Sequence, residues 1–166
     1  FEKKLAVTKK KSKNRYTGIE VLNLMLNYEI EQAEEKTIRV NCAVEAYLCP
    51  VDETELCIIM GNLFDNAIEA VKDLPDEQRQ IDFAIQNPNG IFRIEILNPY
   101  EGERRKIEHH YLTTKKENTE MHGLGLMSVQ KIVEKYDGLI EISDEDNVFR
   151  VVVSFYDEEV RDSAGT

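Results

Sequence analysis

The stretch Leu56–Val71 constrains the fold more than any other part of this chain. It is apolar on most of its faces, and a helix of that kind needs neighbours all round, so it must sit at the centre of the domain. Pro50 breaks the chain ahead of it, Asp52 followed by Glu55 has the pattern of a capping box, and Asp73-Leu-Pro75-Asp closes it. Within this apolar helix, Asn62, Asn66 and Glu69 recur at i, i+4 and i+7 and share one face, with Asp65 beside them. A buried polar side chain left without a partner costs about 1–3 kcal/mol. Two readings satisfy the stripe. It either faces solvent and neighbouring strand ends, or it meets a hydrated Mg²⁺ carrying a polyphosphate, a cation that takes oxygen ligands and keeps several waters.

The surroundings of this helix indicate a mixed α/β architecture. Ile19, Leu22, Leu26, Ile30 and Ala33 recur at helical spacing, with Thr17 three residues before Glu20 as a capping box, so a helix is expected from Thr17 to about Lys36. A short strand follows over Ile38–Val44. Ile81–Gln86 and Ile91–Leu97 alternate and are joined by Asn87-Pro-Asn-Gly90, a hairpin signature. Residues 99–121 have no clean period and read as a lid or binding loop. Helical spacing resumes at Leu124, Met127, Ile132 and Val133, with Gly138 as a stop, and strands over Leu139–Ser143 and Val148–Phe155 close the domain. The expected fold is a two-layer α/β sandwich, three main helices over a mixed sheet of about five strands. Its expected limits are a basic lead-in over 1–16, the domain over 17–156 and a tail over 157–166.

Charge and cysteine content narrow the function. The net charge is −11, which argues against a general nucleic-acid binder. Its distribution is uneven: +6 over residues 1–15 and −17 over the rest. Cys42, Cys49 and Cys57 lack metal-site spacing and read as buried or free thiols of a reducing compartment. There is no apolar run of membrane-spanning length and no signal-peptide pattern. The chain begins at Phe1 within a Lys-rich tract and reads as a piece of a longer protein.

A second constellation, His122-Gly-Leu-Gly-Leu126, directly precedes a helix. Glycines admit a ligand close to the backbone, and a helix start offers free N–H groups to phosphates. A loop-to-helix turn explains the same residues. No Gly-Lys-Ser/Thr follows, and no strand precedes, so neither a Walker loop nor a dinucleotide fingerprint fits.

Together the two constellations resemble one family. Asn62-Leu-Phe-Asp-Asn66-Ala is similar to the N box, and Gly123-Leu-Gly125-Leu to the second glycine box, of sensor histidine kinase catalytic domains. These belong to the gyrase/Hsp90/histidine-kinase/MutL ATPase superfamily, with its Bergerat-type ATP-binding fold, and the resemblance covers roughly residues 37–156. Residues 111–126, YLTTKKENTEMHGLGL, are similar to the peptide-sensing, accessory-gene-regulator-type branch. The resemblance implies ATP as ligand and Mg²⁺ as cofactor. It implies that Asn66 ligates the metal, with Asn62 assisting, and that Glu69 lies on the same cofactor face. His122, Gly123, Leu124, Gly125 and Leu126 are implied around the phosphates. Lys115 and Lys116 lie in the lid, where an ammonium reaches the γ-phosphate or simply carries solvated charge.

Two departures stand out. The family commonly reads adenine with the Asp of a DxGxG box, whereas this chain has Asn98-Pro-Tyr-Glu-Gly102. The Asn98 amide oxygen still accepts a hydrogen bond from adenine, more weakly than a carboxylate does. The histidines are His109, His110 and His122, none of them on the N-terminal helix, so the phosphoacceptor is expected outside this chain. The implied protein is the cytoplasmic catalytic domain of a membrane-bound two-component sensor. Its implied partners are upstream dimerisation helices that form a homodimer, and a response regulator. A catalytically silent nucleotide-sensing or protein-interaction module is the main alternative. A water-hydrolysing ATPase is disfavoured, because the amide of Asn62 cannot take a proton from water.

Overall fold

The strands over residues 81–85 and 92–96 alternate strictly between a buried and a half-exposed side, which gives the sheet its core face, while the central strand is buried on both sides over residues 151–155. Ile81, Phe83 and Ile85 point inward, as do Phe92, Ile94 and Ile96, while their neighbours are half-exposed. The computed structural model describes residues 15–101, 111–112 and 124–157. Among them the chain forms α1 (Glu20–Glu35), β1 (Arg39–Glu45), α2 (Glu53–Val71), β2 (Gln80–Gln86) and β3 (Ile91–Pro99). The two-residue β4 (Tyr111–Leu112), α3 (Leu124–Lys135), β5 (Leu139–Glu145) and β6 (Val148–Tyr156) complete it.

The sheet has the order β1-β2-β3-β6-β5-β4. β1 runs parallel to β2, and the remaining pairs are antiparallel. Five long strands and a short edge strand thus make the mixed sheet, with α2 packed between α1 and α3 on its core face. The expected two-layer sandwich is the observed fold. Leu56, Ile59, Met60, Leu63, Phe64 and Ala67 of α2 are almost wholly buried, and the Phe64 ring lies 4.9 Å from that of Phe83 on β2.

Turn chemistry sets the connections. Asn89 (φ 52°) and Gly90 (φ 77°) take the left-handed conformations that reverse the chain between β2 and β3. Asp146 (φ 53°) and Asn147 (φ 60°) do so between β5 and β6, a two-residue turn whose twist matches the strands. Asp52 caps α2 through Thr54 N at 2.9 Å, but Glu55 does not reach back to complete a box. Its carboxylate instead accepts from Lys135 Nζ at 2.6 Å and from the Tyr136 hydroxyl, holding the end of α3 on the start of α2.

Two local expectations change. Thr17 does not cap α1, which starts after Ile19 with no side-chain cap. The buried Asn23 organises that entry: its Oδ1 accepts from Tyr16 N (2.8 Å) and Thr17 N (3.0 Å), and its Nδ2 donates to Thr17 O (2.9 Å). The Thr17 hydroxyl turns away to donate to Ala46 O. Gly138 is not the left-handed residue that ends α3; Asp137 is, at φ 49°. Gly138 is required for space, because a Cβ there would lie 2.6 Å from Ser154 O on β6.

Connectivity gathers the functional elements at one end. The C-terminus of α2 leads through residues 73–79 into the start of β2, so it lies at the end of the sheet where β3 finishes with Asn98 and Pro99. The C-terminus of α3 leads into β5 at the opposite end, which puts Leu124 and Gly125 beside that finish.

Candidate functional site

The site is built where α2 and α3 cross. Asn62 Nδ2 donates to Ile58 O at 2.8 Å, one turn back on its own helix, and this fixes the amide. Asn62 Oδ1 therefore points at the first turn of α3, where an ideal Cβ on Gly125 would sit 2.7 Å from it. The two sequence constellations, separated by some sixty residues, meet at this contact. Asn66 lies one turn further along α2, half-buried, and among the described residues its amide has no hydrogen-bond partner.

The other expected site residues divide. Asn98 is 2 % exposed and on the core face of β3; its Nδ2 donates to Pro99 O at 3.0 Å, leaving Oδ1 as an acceptor. Glu69 is directed to solvent and pairs with Lys72 at 2.8 Å, an exposed contact that raises the lysine's pKa. Leu126 is buried in the core, so only its main chain is free to meet a ligand. Leu124 opens α3. Lys115, Lys116, His122 and Gly123 lie outside the described residues.

Three further polar residues are placed by contacts distant in sequence. Glu29 on α1 is 3 % exposed, and its Oε1 would lie 3.8 Å from a Cβ on Gly61 of α2. Burial first, and the nearby Asp65 carboxylate second, push its pKa up to about 7. Asp144 on β5 accepts a hydrogen bond from the Tyr100 hydroxyl. These positions depend on helix packing and strand register. The one signal in the sequence is that Asp144 has the same parity as the apolar Ile140 and Ile142.

The donor set suits a phosphate-held cation better than a protein cage. Among the described residues no group of three His, Cys, Asp or Glu side chains is placed to hold a metal. Asn62 and Asn66 could offer only neutral amides, and a Mg²⁺ bound mainly by phosphates needs only one or two protein ligands. The start of α3 adds main-chain N–H groups and the positive end of its dipole. Cys42, Cys49 and Cys57 are free thiols with pKa values raised by burial, that of Cys42 to about 11, and take no part.

Residues 51–155 match the family model described as the GHKL domain, most of the chain. The chain belongs to the GHKL domain family. Its GHKL domain is 29 % identical over 96 residues to a probable C4-dicarboxylate sensor kinase of Halalkalibacterium halodurans. It is 28 % identical over 100 residues to the sensor histidine kinase DpiB of Escherichia coli. Those matches take in 57 % and 58 % of this chain but 18 % of each relative, so the chain corresponds to a minor part of either. In fold, the chain resembles the catalytic domain of histidine kinase ThkA, with a TM-score of 0.62 at 17 % identity over 81 % of this chain and 92 % of that one. The mycobacterial sensor histidine kinase MprB gives 0.59 at 16 % identity, over 82 % and 93 %. Among the described residues, no helix is long and apolar enough to cross a membrane.

Proposed function

We propose that the chain binds Mg·ATP at the α2–α3 crossing and presents the γ-phosphate to a histidine on dimerisation helices outside these residues. It would thus act as the catalytic domain of a two-component sensor histidine kinase. The observation that carries this reading is the approach of Asn62 to Gly125, which joins the amide-bearing helix to the N-terminus of α3. Asn66, with Asn62 beside it, holds the metal; the first turn of α3 receives the phosphates; Asn98 accepts from the base. Bound Mg²⁺ would supply charge neutralisation across the phosphates. Phosphoryl transfer needs little else beyond positioning and a water-poor site, and Lys115 and Lys116 are the candidate cations for the γ-phosphate.

Hydrolysis by water fits less well. The Asn62 amide donates to Ile58 O and has no basic atom for a water proton. In this reading the partners are the dimerisation helices of a homodimeric receptor, then a response regulator, and the domain faces the cytoplasm. Incubating the chain with its dimerisation helices and γ-labelled ATP tests the transfer. Label on those helices that disappears when their histidines are replaced is expected; label that survives the replacement contradicts the assigned acceptor.

A further inference from the structure

One carboxylate oxygen at the Asn98 end of the sheet is buried and, among the described residues, unpartnered. Asp144 Oδ2 has no hydrogen-bond donor among them, while Oδ1 is occupied by the Tyr100 hydroxyl. Strand register places this group with care. Asp144 stands opposite Phe149 of β6, and Phe149 stands opposite Asn98 of β3. Asp144 shares the core-facing parity of Ile140 and Ile142, and Asn98 that of Ile94 and Ile96. Both side chains therefore rise from the helix-covered face at one level of the sheet, two strands apart, or about 10 Å between backbones.

A carboxylate oxygen shut away from water without a donor is costly, more so than a neutral group. A ligand that brings an N–H to Oδ2 removes that cost. The Asn98 amide is a weak selector by comparison, since it can present an oxygen or an NH₂ at the price of one bond to Pro99 O. A carboxylate accepts only, and more strongly. We propose that Asp144 sets the base choice of the nucleotide pocket, its Oδ2 accepting a hydrogen from the exocyclic amino group of adenine and repelling the 6-oxo group of hypoxanthine or guanine. Tyr100 positions the carboxylate by holding Oδ1. The carboxylate absent at position 98 is thereby supplied from β5, beside the weaker acceptor Asn98 Oδ1. The assignment rests on the nucleotide-binding reading above.

Equilibrium titration of the chain with Mg·ATP and Mg·ITP tests it, because the two differ at the 6-position. The chain as it stands should prefer ATP by at least about tenfold, the scale of one lost hydrogen bond to a charged group. Asp144→Asn, whose amide can donate to a 6-oxo group, should bring the ratio to within about threefold while the melting curve shows a folded domain. Tyr100→Phe keeps the carboxylate but frees its rotation, and should narrow the ratio part-way. A folded Asp144→Asn with the original ratio, or equal ATP and ITP affinity in the unsubstituted chain, overturns the assignment and leaves ATP binding standing. Failure of the unsubstituted chain to bind either nucleotide overturns the nucleotide-binding reading, and the assignment with it.

Discussion

Gly125 and Asn62 are in contact across the α2–α3 crossing: a methyl group on Gly125 would lie 2.7 Å from Asn62 Oδ1 and 3.5 Å from its Cγ. No real side chain tolerates the first distance, so Asn62 would have to move. Gly125→Ala should accordingly lower Mg·ATP affinity about tenfold, or ~1.4 kcal/mol. Stability should be unchanged or rise by up to about 1 kcal/mol, because alanine favours helix and Asn62 has solvent into which to turn. Paired calorimetry and thermal melts check this. Unaltered affinity in a folded Gly125→Ala would separate Asn62 from the nucleotide.

Glu29 predicts a pH dependence of stability. Its folded pKa of about 7 exceeds the ordinary 4.5, so between those values the folded state binds more protons than the unfolded one. Stability from this group is therefore complete below pH 4.5, declines as pH rises towards 7, and is gone above it. Allowing for partial hydration of the carboxyl, the loss is on the order of 1–3 kcal/mol. Glu29→Gln should be the more stable protein at pH 8 and lose that advantage at pH 4.5. Melting curves at the two values decide it; a constant gap between the proteins contradicts it.

Gly138 should be intolerant of any side chain. A Cβ would lie 2.6 Å from Ser154 O and 3.0 Å from the Phe155 ring, both fixed parts of the sheet. Gly138→Ala should cost about 1–3 kcal/mol, the range for forced overpacking. Chemical denaturation measures it, and a loss below about 0.5 kcal/mol, the level of an ordinary surface substitution, would show that the α3–β5 corner yields.

Much of this organisation was legible in the residues because it is local. Asn62 and Asn66 declared a common helical face by spacing, and their host helix declared its burial by composition. The Asn89–Gly90 turn and the Asp146–Asn147 turn were marked by residues that accept positive φ. The hidden parts depend on contacts distant in sequence. Thr17 and Glu20 had the form of a capping box, yet Thr17 found Ala46 O, and the buried Asn23 took over the chain entry. Gly138 had the form of a helix stop, but its necessity comes from Ser154 on another strand. Glu69 shared the asparagine face and was drawn to Lys72 instead. Asp144 became visible only when the β5–β6 register set it level with Asn98.

Calorimetric titration of Mg·ATP into the chain and into Asn66→Ala tests the nucleotide site most directly. Asn66 is half-buried and has no hydrogen-bond partner among the described residues, so its loss should not disturb the fold. Saturable binding by the unsubstituted chain is expected, with binding at least about tenfold weaker in a variant of the same melting temperature. Equal affinity of the two proteins would contradict the metal-holding role of Asn66, and absence of binding by the unsubstituted chain would contradict the site itself.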